Sequence, residues 1–185
     1  MDPENDRDEQ KQIGAMKVID QIQGSRADMA AKVTIARMVT VASGRVGHSG
    51  TTLPGRVVKT LDSDVIGRLS RRLAAGSVLV SATNGKTTTS AMIAGILERN
   101  GLKLARNREG ANLVAGVATA LLKDASWTGA PRSDVGLFEV DEFAFPEVAL
   151  QCAPRIVLLM NLFRDQLDRY GELESIAKKI EHALS

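Results

Sequence analysis

From residue 77 onward, short apolar runs alternate with longer segments of helical period, and that alternation leaves few folds open. The strand-like runs are SVLVSA (77–82), KLA (103–105), DVGLFEV (134–140) and RIVLLMN (155–161). The helical ones are KTTTSAMIAGILERN (86–100), NLVAGVATALLKD (112–124) and LESIAKKIEHALS (173–185). Strands separated by helices cannot be joined by tight hairpins, so they are expected to pair in parallel, with each helix as a crossover. A composition of 44% hydrophobic but only 3% aromatic residues suits such a sheet, whose core is built from Ala, Val, Leu and Ile. The expected fold class is α/β, a parallel sheet with flanking helices.

Ahead of this unit the chain reads differently. MDPENDRDEQ carries five acids and one Arg with no apolar face, so residues 1–25 are expected to be a disordered tail. Residues 26–75 form a basic segment: from Arg26 to Arg72 there are nine Lys or Arg against three Asp. Apolar residues from Ala30 to Val41 recur at roughly helical spacing, and a second helix is expected over 62–74 with Asp62 or Ser63 as its cap. A helix packed on the next domain is one reading of this segment; contact with an anionic membrane surface is the other. Lys32 and Arg37 interrupt the one apolar stretch that might span a bilayer, and no signal-peptide layout opens the chain, so a cytoplasmic protein is expected. A net charge of +2, without stacking aromatics among basic residues, argues against nucleic-acid binding. Cys152 stands alone and is read as a core residue.

SVLVSATNGKTTT (77–89) runs an apolar strand into a polar, glycine-containing turn and then a helix, an arrangement that aims backbone N–H groups and a helix N-terminus at one point. Gly85-Lys86-Thr87 ends it like a phosphate-binding loop, so the sheet is expected to be of the P-loop type. The glycine that opens the common loop is absent, since Val80 holds that position. Gly85 would let the backbone approach a phosphate, Lys86 would neutralise its oxygens, and the Thr87 hydroxyl would coordinate Mg²⁺. The metal needs a further acid at a neighbouring strand end. DVGLFEVDE supplies Glu139, Asp141 and Glu142, of which Glu139 closes the apolar run and is the expected ligand, while Asp141 and Glu142 also read as turn acids. No Asn-Lys-x-Asp element for reading guanine is present, NLFRD (161–165) being the nearest, so ATP is favoured over GTP.

Four ordered motifs, ATNGKTTT (82–89), NREGANL (107–113), FEVDEF (138–143) and NLFRDQLDRYGELE (161–174), resemble the central ATPase domain of the Mur ligase family. Within it they are most similar to MurT-type subunits of lipid II isoglutaminyl synthase, as is SGTTLPGR (49–56). The resemblance accounts for Val80: the family's loop is similar to G-T-N-G-K-[ST], and its early glycine falls at Ala82. It implies that Thr83, Asn84, Gly85, Lys86, Thr87 and Thr88 bind phosphate, that Thr87 and Glu139 hold Mg²⁺, and that Asn107 and Asn112 lie in a second ATP-facing loop. Asn161 and Asp165 would close the nucleotide site. Where amino-acid-adding relatives have Asp-His-Leu-Asp, residues 165–168 read Asp-Gln-Leu-Asp, which puts a second metal in question.

The implied reaction is ATP-dependent amidation of the D-glutamate α-carboxylate of a lipid-linked muropeptide in peptidoglycan synthesis. It proceeds through an acyl phosphate, with ammonia from a GatD-type glutaminase subunit. The alternatives are another amide ligase of the superfamily, such as a folylpolyglutamate synthase-like enzyme, and a truncated, non-catalytic nucleotide-binding module. The family continues past the point this sequence reaches, with more of the sheet, in many MurT-type subunits a four-cysteine zinc element, and a C-terminal domain. Residues 76–185 are therefore expected to be the N-terminal part of the central domain, with zinc confined to the downstream part.

Overall fold

A computed structural model describes residues 30–31, 33–35, 56, 59, 62–107, 110–162 and 170–184. The expected tail (1–25), residues 49–55 of the SGTTLPGR motif, and Asp165 lie outside them. Within the basic segment, residues 30–31 and 33–35 are helical with Val33 fully buried, and Arg56 and Lys59 are helical as well. No described helix is long and apolar enough to cross a membrane.

The elements follow in the order α1 (Val65–Ser70), β1 (Ser77–Ser81), α2 (Lys86–Arg99), β2 (Leu104–Arg106), α3 (Val114–Asp124), β3 (Val135–Val140), α4 (Phe145–Cys152), β4 (Ile156–Leu159) and α5 (Tyr170–Leu184). The four strands form one sheet in the order β2-β3-β1-β4, and every neighbouring pair is parallel, as the alternation requires. Val80 of the central strand lies between Glu139 on β3 and Leu158 on β4. The ends of the three strands that carry the polar motifs are thereby brought together.

Several expectations are corrected. The helix expected over 62–74 is shorter: α1 ends at Ser70, and the chain then passes through successive tight turns to Gly76. Its cap residue is Asp64 rather than Asp62 or Ser63, and no side chain caps it. Asp62 instead accepts the Asp64 amide at 3.0 Å and pairs with Arg68 at 3.0 Å. β2 lies one residue later than expected, and α5 starts at Tyr170, three residues early. Helix α4 was not expected at all. Pro146 reads as a breaker in sequence, yet in the first turn of a helix the missing N–H costs nothing. The turn that launches α4 is built by Asp141, whose carboxylate accepts the Phe143 amide at 3.1 Å while its carbonyl takes the Phe145 amide at 2.8 Å.

Strand alternation divides the core into two faces. Leu79, Phe138, Val140 and Ala105 point to the side covered by α1, α3, α4 and α5, where the main core lies. Val80 and Leu137 point the other way and pack with Ala94 of α2, backed by Val78, Ile93, Leu104 and Leu158. Glu139, two residues beyond Leu137, is therefore presented on the α2 face.

Candidate functional site

Central strand β1 delivers the chain into the turn 82–85, and Gly85 adopts φ 84°, ψ 3°, a left-handed conformation that sets α2 going in a new direction. α2 carries no side-chain cap and no acid in its first turn. The amides of Lys86, Thr87 and Thr88 have no carbonyl one turn back within the helix and face the turn. Thr87 and Thr88 are exposed there. After fourteen residues α2 ends at Arg99 with Asn100 as its cap, and the next residue, Gly101, donates its amide to the Glu98 carbonyl at 2.9 Å.

The two residues expected to share a metal are already in contact. The Thr87 hydroxyl donates to the Glu139 carboxylate at 2.9 Å across 52 positions of sequence. A hydroxyl and a carboxylate oxygen are hard donors suited to Mg²⁺, which typically takes one or two carboxylates and fills its remaining positions with phosphate oxygens and water. These residues therefore fit the ion. No group of three His, Cys, Asp or Glu side chains is gathered among the described residues, so no zinc-type cluster is found there.

Lys86 is not extended toward the turn's opening. Its ammonium folds back to donate to the Ala82 carbonyl, lies 3.5 Å from the Thr83 carbonyl, and faces the Glu142 carboxylate at 3.7 Å. Glu142 also accepts the Thr83 hydroxyl at 3.4 Å. The reading of Glu142 as a solvated turn acid therefore gives way to one in which it opposes the loop lysine.

The three asparagines act on the backbone. Asn161 takes the Thr83 amide on its carbonyl at 2.9 Å, and its side chain accepts the Asn84 amide and donates to the Asn84 carbonyl, each at 3.0 Å. Its side chain thus pairs with the loop as a further strand residue would. Asn107, buried, does the same for β3. It accepts the Glu139 amide at 3.0 Å and donates to the Glu139 carbonyl at 2.7 Å and the Ala111 carbonyl at 2.8 Å. Asn112 contributes its carbonyl to the Asp141 amide at 2.9 Å. Asn107 and Asn112 thus border the strand end that carries Glu139, but the Asn107 amide is spent on main chain rather than offered to a ligand.

One contributor carries no signal in sequence. Gly116, inside α3, lies against the Ala111 carbonyl so closely that a Cβ would sit 1.9 Å from its oxygen. Only glycine lets Ala111 lie down on α3, and the Ala111 carbonyl is a partner of Asn107.

A sequence profile of the Mur ligase middle domain matches residues 80–182, the stretch from mid-β1 to the last turn of α5. The chain belongs to the Mur ligase family. Its similarity extends to the MurT subunit of a glutamine-hydrolysing lipid II isoglutaminyl synthase from Staphylococcus aureus, 35% identical over 83% of this chain and 34% of that protein. The MurT subunit from Streptococcus pneumoniae is 35% identical over 76% of this chain and 30% of its own length. A UDP-N-acetylmuramoylalanine–D-glutamate ligase from Aromatoleum aromaticum shares 28% over 70% of this chain and 26% of its own. This Mur ligase chain spans about a third of the length of the curated MurT relatives it matches. It superposes on MurF from Acinetobacter baumannii with a TM-score of 0.53 at 18% identity, covering 70% of this chain and 28% of that one, a likeness of fold.

Proposed function

We propose that this Mur ligase chain supplies the nucleotide-binding part of an ATP-dependent amide ligase that amidates the D-glutamate α-carboxylate of a lipid-linked muropeptide on the cytoplasmic side of the membrane. The observation that carries the nucleotide reading is the Thr87–Glu139 bond beside Lys86, at the carboxyl end of the central parallel strand. Similarity to MurT subunits supports the choice of substrate, and the word subunit in their name supports a partner, for which a GatD-type glutaminase delivering ammonia is the fit.

In this reading the amides of Lys86, Thr87 and Thr88 cradle the phosphates, and Lys86 turns from the Ala82 carbonyl to their oxygens. Thr87 and Glu139 would hold Mg²⁺, which when bound spreads the charge of the phosphoryl group in flight. The residues of this chain bind and orient the nucleotide; transfer to the carboxylate gives an acyl phosphate that ammonia then opens to the amide. Orientation of the muropeptide falls to parts of such enzymes outside the stretch matched here. Asp165 is proposed to join the site from the β4 side.

Calorimetry tests the nucleotide reading: Mg·ATP should bind better than Mg·GTP, and Lys86→Ala should weaken ATP by about 1.5–3 kcal/mol, the scale of a charge-assisted hydrogen bond. Equal or tighter GTP binding removes it. The amidation reading is tested by mass spectrometry of lipid II incubated with glutaminase, glutamine and Mg·ATP. The expected result is no amide from the 185-residue chain alone and amide once the chain is extended to the length of its relatives, because a carboxylate held loosely forfeits an orientation term of about 7–11 kcal/mol.

A further inference from the structure

Among the described residues, Glu142 is the one carboxylate with a buried oxygen that no hydrogen bond reaches. Its side chain is 15% exposed, and its Oε2 is buried without a hydrogen bond and faces the Lys86 ammonium at 3.7 Å. Its Oε1 receives only the Thr83 hydroxyl, at 3.4 Å. Lys86 is equally enclosed, 13% exposed, and curled onto the carbonyls of its own turn. A carboxylate kept from water with one oxygen unbonded is costly unless its partner is a cation. Here that cation is the lysine that the nucleotide reading gives to phosphate.

We propose that Glu142 is a resting counter-ion for Lys86, a positioning residue that keeps the lysine folded over the turn and that each incoming nucleotide must displace. This deepens the ATP-site reading and rests on it. A phosphate entering the turn takes Lys86 from Glu142 and leaves two like charges near one another in a partly enclosed space, where repulsion is weakly screened. The penalty grows with the charge on the terminal phosphate group. Glu142 thus favours Mg-complexed nucleotide over the free anion, and it bears more on ATP than on ADP. Nothing in this scheme requires Glu142 to touch the metal, which Thr87 and Glu139 would hold.

The test is nucleotide binding by wild type and Glu142→Gln, each with and without Mg²⁺. The expected result is that Glu142→Gln tightens Mg-free ATP by about three- to ten-fold, the size of a partly enclosed ion pair, with a smaller gain for ADP and for Mg·ATP. Glu142→Asp, which keeps the charge, should keep the wild-type ATP to ADP ratio. Weaker Mg·ATP binding with Mg-free ATP unchanged would make Glu142 a metal ligand and overturn the proposal. An altered melting temperature with an unaltered ATP to ADP ratio would make it merely structural and overturn it too. Acetic anhydride labelling of nucleotide-free protein, read by mass spectrometry, is independent of nucleotide. Wild-type Lys86 should react several-fold more slowly than exposed Lys103 and Lys178, and faster in Glu142→Gln. Equal rates in wild type show an unheld Lys86 and end the proposal, even if Glu142→Gln does not fold. If Lys86 is protected but no nucleotide binds either protein, the ATP reading has failed and the displacement step fails with it.

Discussion

The two faces of the sheet are unequally built. On one, four helices seal a core containing Phe138, Phe145, Ile66 and Leu122, all essentially inaccessible. On the other, the fully buried apolar residues among those described are Val80 and Leu137 of the sheet and Ala94 of α2 itself, and Met92 and Ile96 of α2 are 59% and 62% exposed. The phosphate turn and Thr87 belong to the thin face. The thick face holds the strands in place, so the thin face can leave the start of α2 open to a ligand.

The largest test of this asymmetry is Phe145→Ala on the thick face, which should cost about 3–5 kcal/mol in denaturant unfolding, because a fully buried ring is replaced by a cavity. A loss below about 1 kcal/mol would mean that the thick face does not carry the stability.

Gly116→Ala should cost about 1–3 kcal/mol, since the added methyl meets a carbonyl rather than a flexible side-chain end. It should also loosen the Asn107 clamp on Glu139, so that Mg²⁺-dependent nucleotide binding falls with stability. A loss of stability with intact Mg²⁺ dependence would separate the loop from the metal site.

Cys152, the buried last residue of α4, gives the thick face a pH signature. Burial pushes its thiol from 9.0 up to about 12, against a smaller opposing effect of Ser70. Because the folded value lies above the unfolded one, the contribution is intact below pH 9. Above it, the unfolded chain loses a proton that the folded chain keeps, so stability should fall by about 1.4 kcal/mol per pH unit until the folded thiol ionises near 12. Unfolding titrations with Cys152→Ala as control should show the slope reduced; an unchanged slope would assign it to other groups.

The smallest effect belongs to the thin face: Met92→Ser should change stability by no more than about 0.5 kcal/mol in the same denaturation assay. A loss above 1 kcal/mol would show that the exposed side of α2 is covered in solution.

Sheet and crossover helices were legible because each segment carries its own period, and β1 followed by Gly85-Lys86-Thr87 announces a phosphate turn locally. The Thr87–Glu139 contact was anticipated from strand-end placement, since parallel order puts both at one edge. α4 was missed because eight residues with a proline carry too little period to outweigh the breaker. The roles of Asn107, Asn161, Glu142 and Gly116 were hidden for a different reason. Each is fixed by what lies opposite in three dimensions: a strand end, a loop amide, an ammonium, a carbonyl. Identity alone makes an asparagine near a nucleotide site look like a ligand, when here the amides of Asn107 and Asn161 complete the backbone pairing.

The strand order carries a consequence for synthesis. β1 pairs only with β3 and β4, and the turn that follows it is tied through Thr83 and Asn84 to Asn161, 77 positions beyond Asn84. As the chain leaves the ribosome, the phosphate turn emerges before both neighbours of β1: β3 follows first, and β4 with the Asn161 ties comes only later. Its amides are thus among the first functional groups made and among the last held in place, and until then the apolar run Val78-Leu79-Val80 is open to other partners.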